Sequence, residues 1–158
     1  MKISLILTGR TTEKYLQEGF SNYEKRIKKH IQFETIIIPD LKNAKSFDVA
    51  QVKEKEAEMQ LKYIENTDYI VLLDENGKEL RSKGFADFLQ HRMNSSVKNL
   101  VFIIGGPYGF SERIRAKAKI EIALSEMTFS HQLVRLLFVE QLYRAFSIIH
   151  YEPYHHEG

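Results

Sequence analysis

The chain has 158 residues, 43% of them hydrophobic and 28% charged, with a formal net charge of only +2. That suits one compact domain and excludes the low-hydrophobicity, high-charge class of disordered chains. It contains no cysteine, which removes disulfide scaffolds, thiolate metal sites and thiol nucleophiles, and any nucleic-acid contact has to come from local basic patches. No apolar stretch approaches the roughly 20 residues of a membrane helix, and the first strand is too short for a secretory signal, so a cytoplasmic location is expected.

Lys2 to Thr8 (KISLILT) is predicted as the first strand. A helix is predicted from about Thr12 to Lys29, because Leu16, Phe20, Tyr23 and Ile27 recur at helical spacing; Thr11 or Thr12 can cap it. Phe33 to Ile38 is a strand stopped by Pro39, and the polar stretch Asp40 to Phe47 is a loop. From about Val49 to Glu65 the high charge predicts an exposed helix. Tyr69 to Leu73 is the third strand, followed by a turn over Asp74-Glu-Asn-Gly77. Ser82 to about Met93 reads as a helix capped by Ser82, and Leu100 to Ile104 as the fourth strand. That strand runs into Gly105-Gly106-Pro107-Tyr108-Gly109, and a short helix starts near Ser111. Ile120 to Leu124 is the fifth strand, and a long helix runs from about His131 to Ile149. Strands alternating with helices, with near-continuous apolar runs in the strands, predict a mainly parallel α/β sheet covered on both faces. Ligands of such sheets bind at the carboxyl ends of the strands. The chemistry is therefore expected after Leu73, at Gly105 to Gly109, and at Ser125 to Phe129.

Gly105 and Gly106 lack a β-carbon, which serves equally a tight strand-to-helix turn and a backbone that must approach a ligand. There is no GxxxxGKS/T, and the first strand turn offers one glycine, Gly9; both facts weaken nucleoside-triphosphate and dinucleotide readings. The last helix is apolar around most of its circumference: Val139, Leu142, Phe146 and Ile149 on one side, Leu133, Leu136 and Leu137 on another. Only Glu140, Arg144 and Ser147 form a polar strip, so the sheet covers one side and a second copy of the chain is expected on the other. His131 and Arg135 stand one turn apart at the start of this helix. An arginine there suits a phosphate and a histidine suits proton transfer, while the plain alternative is a capping histidine and an arginine paired with a carboxylate. Lys25, Arg26, Lys28, Lys29 and His30 with Lys42 and Lys45, and Arg113, Arg115, Lys117 and Lys119, are basic clusters that either track RNA phosphates or form solvated faces. In the tail, Tyr151, Tyr154, His155 and His156 suit stacking on a base. No His/Asp/Glu cluster has metal-ligand spacing, so no metal is expected.

At these residues the sequence resembles a known family. The opening MKISLILTGR, the strand-turn VLLDENGK, the turn IGGPYGF, the stretch ALSEMTFSHQLVRLLFVEQLYRAFSI and the ending YEPYH occur in the order found in small bacterial SPOUT methyltransferases. These modify N3 of pseudouridine 1915 in 23S ribosomal RNA with S-adenosylmethionine. The resemblance spans nearly the whole chain, as a single domain over 1–158, and the long C-terminal stretch is its most specific part. It implies a fold whose C-terminal region, about 100–150, forms a deep trefoil knot, against the general rule that chains do not knot. It also implies a homodimer whose active site is shared between subunits. The cofactor is expected at Leu73, Gly105, Gly106 and the loop Leu124, Ser125, Glu126, Met127, Thr128 and Phe129. His131 and Arg135, with Tyr154 and His155 of the other subunit's tail, are expected around the target base. Within that scheme Arg135 stabilises a phosphate or the base anion, and His131 and His155 compete for the N3 proton. Two departures stand out: Ser130 occupies a position where the family often has proline, and the ending HHEG lacks a basic residue after Tyr-His.

Overall fold

The computed structural model describes residues 1–156, so the last two residues of the HHEG tail, Glu157 and Gly158, lie outside the described residues. Five strands form one parallel sheet in the order β2-β1-β4-β3-β5. They are β1 (Lys2–Thr8), β2 (Gln32–Ile38), β3 (Tyr69–Glu79), β4 (Asn99–Ile104) and β5 (Ile120–Ala123). The helices are α1 (Lys14–Ile27), α2 (Val49–Leu61), α3 (Ser82–Met93), α4 (Glu112–Arg115) and α5 (Leu133–Ile149). Among the described residues no helix is long and apolar enough to cross a membrane.

Side chains alternate across a strand, and in β4 and the first half of β3 both alternating sets are apolar. Ile3, Leu5 and Leu7 of β1 point to one face with Leu100, Phe102 and Ile104 of β4. That face meets Ile27 of α1, Phe85 and Leu89 of α3, and Phe138, Leu142 and Phe146 of α5. Ile6, Ile38, Leu72, Val101 and Ile103 point to the other face, where Ala57 of α2 and Ile114 of α4 cover them. This two-sided burial explains the continuous apolar runs, and it satisfies the expectation of an α/β sheet with helices on both faces.

The departures from expectation have physical causes. β3 does not turn at Asp74 but continues to Glu79, with a register shift between Leu73 and Lys78 where it runs beside β5. Gly77 makes this possible: a β-carbon there would stand 2.6 Å from the Glu121 carbonyl carbon. Helix α2 is not simply an exposed helix, since it buries Val52, Glu56, Ala57 and Gln60 along one face. Its start is fixed by Asp48, whose carboxylate accepts the Gln51 N–H while the Gln51 side chain accepts the Asp48 N–H. Neither Thr11 nor Thr12 caps α1, which begins after Glu13; both threonines bond to the C-terminal segment instead. Ser82 is the first helical residue of α3 rather than its cap, and its hydroxyl donates to Gln141 of α5. Finally, Ser147 of the expected polar strip is fully buried, its hydroxyl bonded to the Arg144 carbonyl.

Candidate functional site

Because all five strands are parallel, their carboxyl ends gather on one edge of the domain. The middle of β3, from Leu73 to Asn76, and the segments after β4 and β5 meet there around a cavity of about 400 Å³. Leu73, Gly105, Gly106, Leu124, Ser125, Thr128 and Phe129 line it, so seven of the expected cofactor positions converge. Glu126 and Met127 do not: both are exposed, and the loop turns at this point because the Ser125 hydroxyl accepts the Met127 N–H. The three segments are tied together by side chains. Thr128 donates to Glu75, across from the extension of β3. Arg115 bridges Asp74 at 3.1 Å and Glu121, and its guanidinium lies over the Phe110 ring.

Gly106 carries the closest approach. A β-carbon on it would stand 2.7 Å from Oε2 and 2.8 Å from Oε1 of Glu56, distances that no real β-carbon tolerates. Glycine is therefore obligatory while Glu56 keeps this position. Glu56 is 5% exposed, and its carboxyl is pushed above the usual range by burial, then by the charge of Asp40, with the Gly106 N–H acting in the opposite sense.

His131 lies on the wall of this cavity, just ahead of α5. Burial holds its imidazole below the ordinary histidine range, the Arg135 charge adds to this, and Asp40 opposes it. The ring is therefore neutral at neutral pH, able to accept a proton. Ser130 supports this turn by accepting the Leu133 N–H on its hydroxyl, a role open to serine and closed to the proline common in the family.

Arg135 is placed otherwise than a phosphate-binding residue requires. It is 1% exposed, and its guanidinium donates to the carbonyls of His131 (3.0 Å), Gly9 (2.8 Å) and Thr8 (2.6 Å) and to the Thr11 hydroxyl. The plain alternative of a carboxylate partner is not met either. The guanidinium satisfies the carbonyls left over where β1 ends, and so fixes that loop to α5. Gln132 reinforces the same junction, accepting the Thr12 N–H and donating to the Arg10 carbonyl.

A second cavity of about 600 Å³ adjoins the first and shares Leu73, Ile122, Leu124 and Phe129 with it. Its far wall is formed by α3, α5 and the tail, including His155 and His156. Tyr154 rests on α5: its hydroxyl donates to Glu140 (3.1 Å), lies 3.0 Å from the Tyr23 hydroxyl, and its ring packs edge-on against Tyr143. Burial first, then Tyr23 and Glu140, raises the Tyr154 phenol far above its ordinary value. His155 Nδ1 lies 3.3 Å from Arg144, which also pairs with Glu140 as the helical spacing foretold. Within one chain His131 and His155 therefore line different cavities. Lys53, Glu56, Arg115 and Gln132 belong to or support the site without having been marked as site residues. Arg115 stood out only as one of a basic cluster, and the other three carried no sequence signal. Among the described residues no group of three His, Asp or Glu could hold a metal ion.

Comparison with known proteins agrees with this architecture. Residues 1–155 match the family model described as "Predicted SPOUT methyltransferase". The chain is 55% identical over 157 residues to the ribosomal RNA large subunit methyltransferase H of Flavobacterium johnsoniae, covering 99% of this chain and 100% of that protein. The proteins of the same name from Christiangramia forsetii (52%, 99% of each chain) and Parabacteroides distasonis (51%, 99% and 100%) are similar over the same extent. With full-length relatives at this identity and a glycine-walled cavity at the strand ends, the chain belongs to the SPOUT methyltransferases.

Proposed function

We propose that the chain transfers a methyl group from S-adenosylmethionine to N3 of pseudouridine 1915 in 23S ribosomal RNA, acting on assembled ribosomes in the cytoplasm. The observation that carries this is the cavity where Leu73, the Gly105–Gly106 turn and the 124–129 loop meet, with a neutral His131 on its wall. The residues present fit the cofactor. Leu73, Ile104, Leu124 and Phe129 offer an apolar wall for a purine, and two glycines leave backbone amides and carbonyls approachable. A volume near 400 Å³ is of the size that encloses small ligands. When bound there, the cofactor supplies an electrophilic methyl group on a sulfonium.

The remaining work falls to the protein. N3 of pseudouridine is an imide nitrogen whose lone pair is unavailable until its proton leaves, so a neutral base must stand close by. His131 takes that role in this reading, in preference to His155, because it shares the wall of the glycine cavity. Arg135 acts through the fold: it holds the β1 loop against α5 and so fixes where His131 points. Tyr154 and His155 meet the target base from the partner subunit, in a homodimer built on the half-buried apolar side of α5. The 1–158 chain is one domain whose region from about 100 to 150 forms the family's knot.

Ribosomes lacking the modification, incubated with the protein and labelled S-adenosylmethionine, should gain label at one base of 23S ribosomal RNA. No transfer, or transfer to other RNA only, overturns the reading. Light scattering should report twice the mass of one chain; a monomer that is active would remove the shared site.

A further inference from the structure

Glu56 is an ionisable group that the proposed chemistry leaves unused. It lies on the buried face of α2, directly behind the glycine turn. Its Oε2 is inaccessible and has no hydrogen-bond partner among the described residues. No lysine, arginine or histidine there forms an ion pair with it. The Gly106 N–H favours its charged form, while Asp40, across the loop after β2, brings a second negative charge. Lys53, one turn earlier on α2, reaches the cavity wall without pairing with it. Burial and Asp40 therefore favour the protonated carboxyl, and a cation bound nearby shifts it toward the carboxylate, so that charge on Glu56 and a cationic ligand stabilise each other.

We propose that Glu56 is a specificity-determining residue: across the thin floor formed by Gly106, its charge favours a cationic ligand in the glycine cavity over a neutral one of the same shape. Resting on the methyl-donor reading of that cavity, this names how the site tells donor from product. S-adenosylmethionine carries a positive sulfonium, whereas S-adenosylhomocysteine, left after transfer, is a neutral thioether. The floor must be thin for this to work, since each added ångström between unlike charges weakens the preference. A side chain at position 106 would both thicken the floor and displace the carboxylate.

Titration calorimetry of the full chain with the two ligands tests this. Glu56→Gln keeps the size and one acceptor oxygen while removing the charge. It should weaken S-adenosylmethionine binding by about tenfold and change S-adenosylhomocysteine binding less than about twofold. Equal weakening of both ligands would mean that Glu56 merely props the turn, and no change in either would mean that its charge is not felt; both outcomes overturn the proposal. Asp74 and Glu75 also line the cavity, so the preference has to be read on Glu56 itself. Should Glu56→Gln fold poorly by thermal unfolding, Glu56→Asp, which keeps the charge and draws it back from Gly106, should lower the ratio of the two affinities, and an unchanged ratio overturns the proposal. If the wild type binds neither ligand, the donor reading itself fails, a result separable from loss of the charge preference alone.

Discussion

The two ends of α5 hold the candidate site in different ways. At the N-terminal end, Arg135 is buried and donates to backbone carbonyls of residues more than a hundred positions away, while the nearby glycine turn closes on Glu56. At the C-terminal end, Tyr154 and His155 touch side chains that are only partly buried, and several of those partners lie on the same helix. Backbone carbonyls cannot move without moving the fold, whereas side-chain partners rearrange. The first half of the site is therefore part of the domain's stability, and the tail is separable from it. A tail held in this way can leave its own helix for a partner's site.

Four perturbations should separate the two ends of α5. Arg135→Met should have the largest effect. It strands the Thr8 and Gly9 carbonyls in the interior, which costs roughly 3 kcal/mol or more, read as a large fall in unfolding temperature together with loss of transfer. A variant of normal stability that loses only RNA affinity would place this guanidinium on the RNA after all. Gly106→Ala comes next. The forced retreat of the Glu56 carboxylate should cost about 1 kcal/mol of stability, and the displaced turn should separately weaken cofactor binding by calorimetry while the tail contacts are unaffected.

The third point is pH. The His131 pKa is lowered in the folded state below the unfolded value of about 6.5. Its contribution to stability is thus fully present above the unfolded value and is lost as pH falls through the folded one. Transfer should decline in the same acidic window, because the base becomes protonated. In stopped-time assays His131→Gln should be slow at every pH and should lack that inflection. The smallest effect belongs to Tyr154→Phe, which removes a half-buried hydroxyl from its contacts with Glu140 and Tyr23 and should cost about 1 kcal/mol. If its unfolding temperature fell as far as that of Arg135→Met, the tail would be part of the core and the contrast would vanish.

Much of the sheet was legible in the chain itself. Runs such as YIVLL and LVFII are near-continuously apolar because both faces of a parallel sheet are covered, and the spacing of Leu16, Phe20, Tyr23 and Ile27 marks α1. The continuation of β3 past Asp74 was not, since Asp-Glu-Asn-Gly reads locally as a turn and only the passage of β5 beside Gly77 makes it a strand. Helix α2 misled for a related reason. Glu56 and Gln60 are polar, so the face they share with Val52 looks solvated until the glycine turn packs behind it. The glycine turn and the 124–129 loop could be found because glycine and the strand ends carry local signals. The use of Arg135 could not, because its partners are backbone carbonyls that no sequence pattern distinguishes. The knot is invisible to periodicity for the same reason: threading is a property of the path, not of any local run.

Leu73, Ile122, Leu124 and Phe129 belong to both cavities at once. A partition one side chain thick, in an interior packed as densely as a crystal, cannot bend toward one chamber without enlarging the other. A ligand in the glycine chamber therefore rests on the same four side chains that wall the chamber where the tail lies.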